Sequence, residues 1–200
     1  MQPTLEVPPV STIMGLINAA AGYYVNNPTI RLGYYFRYEM EGEDLETIYQ
    51  IKSKDGRPTN EAKSNVITRQ FLYNNFLRIY TPDKQIADYF AQPYYPLVLG
   101  RMNDLATIVR KPEKIKLEEK AYATAISGQV IPFTYQLPGQ IQALPQYFTD
   151  EFPRKNRGTM PYSIISHKNR ATGNVPVCTD TLPSGKEVDI YFHRINFEEE

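Results

Sequence analysis

The run Pro8-Pro9-Val10-Ser11-Thr12-Ile13-Met14-Gly15-Leu16-Ile17-Asn18-Ala19-Ala20-Ala21-Gly22 leaves the start of this chain little conformational choice. Each proline fixes its own φ and biases the residue before it toward extended backbone, so the approach is held straight. Ser11 or Thr12 can then cap a helix, since a hydroxyl oxygen accepts a bond from a free N–H of the first turn. Ile13, Leu16, Ile17, Ala20 and Ala21 recur at helical spacing and give one apolar face. Gly22 stands where a left-handed stop belongs. Ser11, Thr12 and Gly15 are small and leave backbone N–H groups open to a phosphate. That feature alone is generic, because most capped helices bind nothing.

Downstream, the sequence reads as strands, one more helix, then strands, an α+β order. Thr29 to Tyr38 is β-branched and aromatic and predicts a strand. Glu39 to Glu46 carries five acids in eight residues and reads as a solvated turn. Glu46 to Lys52 alternates as a second strand, and Lys52 to Asn65 is an apolar-poor loop around the tight-turn pair Asp55-Gly56. Val66 to Tyr80 returns to strand character, interrupted near Asn74-Asn75. Pro82 to Gln92 predicts a helix with Ile86, Tyr89 and Phe90 on one face, stopped by Pro93. Tyr94 to Arg101 is a short apolar segment ending in Gly100-Arg101. The alternating charges of Arg110 to Lys120 read as a linker or an exposed helix. Short strands are expected at Gln129 to Tyr135, Gln146 to Phe152, Tyr162 to Ser166 and Val188 to Phe192.

The 200 residues suffice for one large domain or two small ones. A boundary near Arg110 to Glu119 divides the chain into residues 1–110 and a β-rich part, 111–200. With 22 basic and 22 acidic side chains the net charge is zero, so only local distribution speaks about partners. Lys52 to Arg69 holds Lys52, Lys54, Arg57, Lys63 and Arg69 against Asp55 and Glu61, a net of +3. Arg154 to Arg170 holds Arg154, Lys155, Arg157, Lys168 and Arg170 against no acid, a net of +5. Either segment alone is equally a solvated loop. Two of them in a neutral chain point to an anionic partner. Sixteen tyrosines fill β cores or stack on bases.

Other chemistries find little footing. Cys178 is the single cysteine and the histidines are His167 and His193, so no zinc spacing exists and neither metal nor cofactor is expected. One cysteine fits a reducing cytoplasm, and neither a secretory leader nor a membrane-spanning apolar run is read. No glycine-rich nucleotide loop or hydrolase elbow occurs.

Three motifs in order carry a resemblance. The Pro8 to Gly22 run looks like the proline–proline–serine–threonine–glycine-leucine helix of the CRISPR-associated Cas-five family. Thr68-Arg69-Gln70-Phe71-Leu72-Tyr73 is similar to that family's strand after its long hairpin. Pro96-Leu97-Val98-Leu99-Gly100-Arg101 resembles its leucine-glycine-arginine element. The likeness covers about the first 110 residues and is nearest to the type I-B and I-A branch.

The resemblance implies a ferredoxin-like (RRM-like) RNA-binding domain with an inserted β-hairpin thumb at about residues 52–66. The family starts with a strand before its proline pair, whereas seven residues precede Pro8 here, so the expected fold lacks that first strand. The implied function is that of a non-catalytic subunit of a type I Cascade surveillance complex that caps the 5′ handle of the crRNA. Its implied partners are Cas-seven backbone subunits, a large Cas-eight subunit and, indirectly, target DNA, with no membrane. In that setting Ser11, Thr12, Gly15, Lys52, Lys54, Arg57, Lys63, Arg69, Gln70, Gly100 and Arg101 would contact RNA. Capping and surface salt bridges are the ordinary roles for the same side chains. Arg154, Lys155, Arg157, Lys168 and Arg170 would meet RNA, DNA or protein. One branch of the family cleaves repeat RNA without metal, and His167 with Lys168 or His193 with Tyr191 would offer acid–base groups for that alternative.

Overall fold

A computed structural model describes residues 1–101 and 103–197. In chain order the first elements are helix α1 (Val10–Ala21), strand β1 (Thr29–Arg37), strands β2 (Met40–Lys54) and β3 (Arg57–Tyr73), strand β4 (Phe76–Tyr80) and helix α2 (Lys84–Tyr89). Two compact units result: residues 1–5 with 38–76, and residues 6–37 with the chain from 77 onward. The segment Arg110 to Glu119 lies inside the second unit.

Helix α1 starts where the prolines place it, but neither Ser11 nor Thr12 caps it. Pro9 is the N-cap, extended at φ −66° and ψ 159°, and its side chain makes no cap bond. Its carbonyl accepts the Thr12 N–H at 2.9 Å, which puts both hydroxyl residues inside the first turn. The reason is external to the helix: the Tyr34 hydroxyl donates to the Pro8 carbonyl at 2.7 Å and pins the proline pair against β1. At the other end Gly22 adopts φ 81° and donates its N–H to the Asn18 carbonyl at 2.9 Å, the left-handed stop the sequence predicts. Ile13, Leu16, Ile17 and Ala20 are buried, together with Val10 and Met14. Helix α2 is shorter than Pro82 to Gln92: Asp83 caps its start, accepting the Gln85 N–H at 2.8 Å, and it ends at Tyr89, where the Phe90 N–H turns to the Ala87 carbonyl at 3.1 Å. Ile86 is its buried anchor.

Strand β1 sits between His193–Asn196 and β4 in a three-stranded sheet. Its burial is unbroken from Leu32 to Phe36, as expected of a strand covered on both faces. The Phe36 N–H donates to the Gly128 carbonyl at 2.9 Å. Gly128 has φ +62°, and a Cβ there would lie 2.2 Å from the Phe36 carbonyl oxygen, so the approach requires glycine.

The remainder of the second unit is short antiparallel strands. Gln140–Leu144, Met160–Ile165 and Gln129–Pro132 form one sheet, and Glu187–Ile190, Val177–Thr181 and Glu118–Lys120 another. Leu97–Val98 pairs with Leu105–Ala106, Tyr147–Phe148 with Asn156–Arg157, and Ala123–Ile126 with Ala171–Gly173. The strand expected over Gln129 to Tyr135 gives way to a 3₁₀ turn at Phe133–Tyr135, and that over Gln146 to Phe152 contracts to Tyr147–Phe148. Arg110 to Lys120 contains no helix; Pro112 interrupts it and its end pairs as Glu118–Lys120. Ile126, Ile131, Leu137, Ile165 and Val175 form one core cluster. Tyr35, Tyr80, Val188 and Ile190 form another.

A buried polar knot joins these strands. Asp189, 1 % exposed, accepts the Thr124 and Ala125 N–H groups at 2.6 and 2.7 Å and the Thr179 hydroxyl at 2.6 Å. Burial alone would raise its pKa, but these three donors outweigh it and leave the carboxyl below its usual value. Gln129 donates to the Asp189 carbonyl at 2.7 Å and accepts the Tyr191 N–H at 2.9 Å.

The first unit is a β2–β3 hairpin with the N-terminal residues laid beside it. Gln2 donates to the Thr68 carbonyl at 2.8 Å and accepts from Gln70 at 3.0 Å. Glu39 to Glu46, expected as a solvated turn, instead enters β2, where Glu41 stands opposite Leu72 and Glu46 opposite Ile67. Lys52 to Asn65, expected as a loop, is strand on both sides of the Asp55-Gly56 turn. Both turn residues have positive φ, 54° and 73°, which suits the twist of a two-residue hairpin. The register shifts between Ile51 and Ser53, a bulge just below the tip.

Candidate functional site

In the second unit, one face of α1 opens into a cleft of about 430 Å³. Ser11, Gly15, Asn18 and Gly22 line its helical side. A Cβ added at Gly15 would meet nothing within 4 Å, so the middle of that wall is open space. Aromatic rings supply the other walls: Tyr23, Tyr24, Tyr95, Tyr147, Phe148 and Phe197. Tyr147 packs on Phe197 with centroids 4.5 Å apart, and Tyr24 meets Phe197 edge-on at 6.2 Å. The Tyr24 hydroxyl donates to the Phe148 carbonyl at 3.1 Å and steadies the loop opposite the helix. That loop brings Asp150 and Arg154 to the cleft.

The cleft therefore joins residues read separately in the sequence, Ser11 and Gly15 with Arg154. Thr12, half-buried in the first turn, does not line it. Tyr23, Tyr24, Tyr95 and Phe197 lie outside helices and strands and Tyr147 and Phe148 in a two-residue strand, so no periodicity marks them as one site; tyrosine abundance is their only signal in the sequence. The rest of the basic segment is dispersed. Lys155 pairs with Glu151 at 2.9 Å, and Arg170 donates to the Thr124 carbonyl at 2.7 Å. Arg157 is in the strand Asn156–Arg157, and Lys168 is exposed in the turn after Met160–Ile165. This segment is not one flexible loop, since Tyr162 to Ser166 is buried.

On the hairpin, Lys54 and Arg57 face each other across the tip turn, and Lys63 stands opposite Gln50. All three are exposed and hold no ion pair among the described residues. Lys52 is bound to Glu61 at 2.6 Å, an exposed pair of small energetic weight. Lower down, Arg69 pairs with Glu46. The Gln70 side chain donates to Glu41 at 3.2 Å and accepts the Thr4 N–H at 3.2 Å. An RNA phosphate at Arg69 would have to compete with that carboxylate.

Gly100, at φ 103°, and Arg101 close the Leu97–Val98 hairpin. The Arg101 guanidinium makes two bonds to Asp104, at 2.8 and 3.2 Å. The two histidines differ in setting. His193 is 3 % exposed, stacked against Tyr34 at 6.0 Å, and burial pushes its pKa down to about 3. An acid–base role beside Tyr191 would require an RNA to reach a closed core. His167 is half-buried, and burial together with the Lys168 and Lys186 charges lowers its pKa.

No protein-family model matches the sequence, and neither does any curated protein. Among solved structures, a chain described as "CRISPR RNA-guided surveillance complex" is similar at 16 % identity and a TM-score of 0.49, over 88 % of this chain and 83 % of that one. No helix of the described residues is long and apolar enough to cross a membrane.

Proposed function

We propose that this chain is a non-catalytic RNA-binding subunit of a type I CRISPR surveillance complex, holding the 5′ handle of the crRNA in the cytoplasm. The observation that carries this reading is the aromatic cleft, lined by Ser11 and Gly15 of the proline-led helix on one side and by Arg154 on the other. Single-stranded RNA in a fixed shape needs platforms for splayed bases and cations near its backbone, and the cleft offers aromatic rings and the Arg154 guanidinium. The long hairpin with Lys54, Arg57 and Lys63 outward supplies further cations in the manner of a thumb. The Pro8 to Gly22, Thr68 to Tyr73 and Pro96 to Arg101 motifs, in family order, support the assignment to Cascade. Cas-seven and Cas-eight neighbours and a ferredoxin-like core belong to the same reading.

The test is binding of repeat-derived RNA across a salt series. A combined Lys52, Lys54 and Arg57 substitution to alanine is expected to weaken binding and to reduce the log–log salt slope by about 2, three single-strand phosphate contacts' worth. Arg101→Ala is expected to weaken binding as well. An unchanged slope with both variants would overturn the reading.

A further inference from the structure

We propose that the cleft beside α1 is a pocket for a single unstacked guanine. The proposal rests on the RNA-binding reading for its biological setting and goes beyond it in naming the base. A cleft of about 430 Å³ is within the range of sites that enclose a small molecule. Its aromatic walls suit a flat, apolar-faced ligand, and the opening over Gly15 leaves room for one against the helix. Phe152, fully exposed on the loop between Asp150 and Arg154, adds a further ring at that loop.

The choice of base follows from the two charged side chains at the cleft. Asp150 and Arg154 are exposed, and neither has a hydrogen-bond or ion-pair partner among the described residues. A carboxylate accepts only, and a guanidinium donates only. Guanine alone among the four RNA bases presents two adjacent donors on one edge (N1–H and the N2 amine) and two acceptors, O6 and N7, on another. A carboxylate meets the first pair bidentately and an arginine the second. Adenine lacks the acceptor pair, and the pyrimidines lack the adjacent donors.

Titration calorimetry of the full chain with the four 5′-mononucleotides at millimolar concentration tests this without RNA. The phosphate and ribose are common to all four, so differences report the base. GMP is expected to bind at least about tenfold more tightly than AMP, CMP or UMP. IMP, which lacks only the N2 amine, is expected to fall below GMP in the wild type and to match it in Asp150→Asn. Arg154→Gln is expected to weaken GMP and IMP together, with the melting temperature of each variant confirming the fold. Equal affinities for the four bases, no GMP binding, or a GMP-to-IMP ratio untouched by Asp150→Asn would overturn the proposal. Repeat RNA bound without any guanine preference sinks this inference alone. GMP bound selectively with no RNA affinity sinks the RNA reading instead.

Discussion

His193 and Asp189 show how far a titratable residue's role depends on its surroundings. His193 titrates near pH 6.5 when the chain is unfolded and about 3 when folded. Between those values the unfolded chain binds a proton that the folded chain does not, so stability is complete above about pH 6.5 and falls as pH drops toward 3. His193→Phe keeps an aromatic ring against Tyr34 and is expected to remove a slope of up to about 1.4 kcal/mol per pH unit from that window. Urea unfolding at several pH values measures it. Asp189 is buried as deeply yet stays ionised, because two backbone N–H groups and a hydroxyl face it. Asp189→Ala leaves those donors unpaired and is expected to cost about 3 kcal/mol, read from the same unfolding curves. Nothing in the sequence marks one residue as neutral and the other as charged. The difference is made by Thr124, Ala125 and Thr179, brought from two other strands.

At the scale of the element, the first helix was legible because all its determinants are local. Prolines stiffen its entrance, apolar residues recur at helical spacing, and Gly22 ends it. Gly22→Ala would place a Cβ in a left-handed residue and 2.5 Å from the Tyr94 ring, so the change is expected to destabilise by about 1–2 kcal/mol in thermal or chemical denaturation. The cap was not legible, since it depends on a tyrosine twelve residues past the glycine that holds the Pro8 carbonyl. The hairpin was half legible. Asp55-Gly56 marked the tip, but the acidic run before it resembled a solvated turn. Those acids sit in a strand because Arg69 and Gln70 of β3 answer Glu46 and Glu41, a cross-strand pairing that local composition does not express.

At the scale of the whole molecule, the hairpin unit and the larger unit have separate sources of stability. A lone two-stranded ribbon is marginal in water, and Leu45, Tyr49, Ile51 and Val66 on β2 and β3 are all more than half exposed. The larger unit holds the two core clusters and the buried Asp189 knot. β1 and β4 are neighbours in one sheet, so a short glycine–serine turn can join them. Replacing residues 39–75 with such a turn is expected to leave the larger unit folded, with a melting temperature within about 5 °C of the parent. Binding of repeat RNA is expected to fall while the GMP affinity of the cleft persists. Calorimetry of unfolding and of nucleotide binding on that variant checks both.

The sequence by itself determined the helix entered through Pro8 and closed by Gly22, the hairpin tip and the strand around Gly33, because each depends on backbone preferences and spacing within a few residues. Only the tertiary structure decided which basic residues remain unpaired and where the aromatic rings converge. Salt bridges to Glu46, Glu61, Asp104 and Glu151 engage Arg69, Lys52, Arg101 and Lys155. Arg154 is brought instead to a cleft with Gly15. The salt bridges join residues three to twenty-three positions apart and the cleft residues more than a hundred apart, and burial and charge complementarity select among them only once the chain has folded.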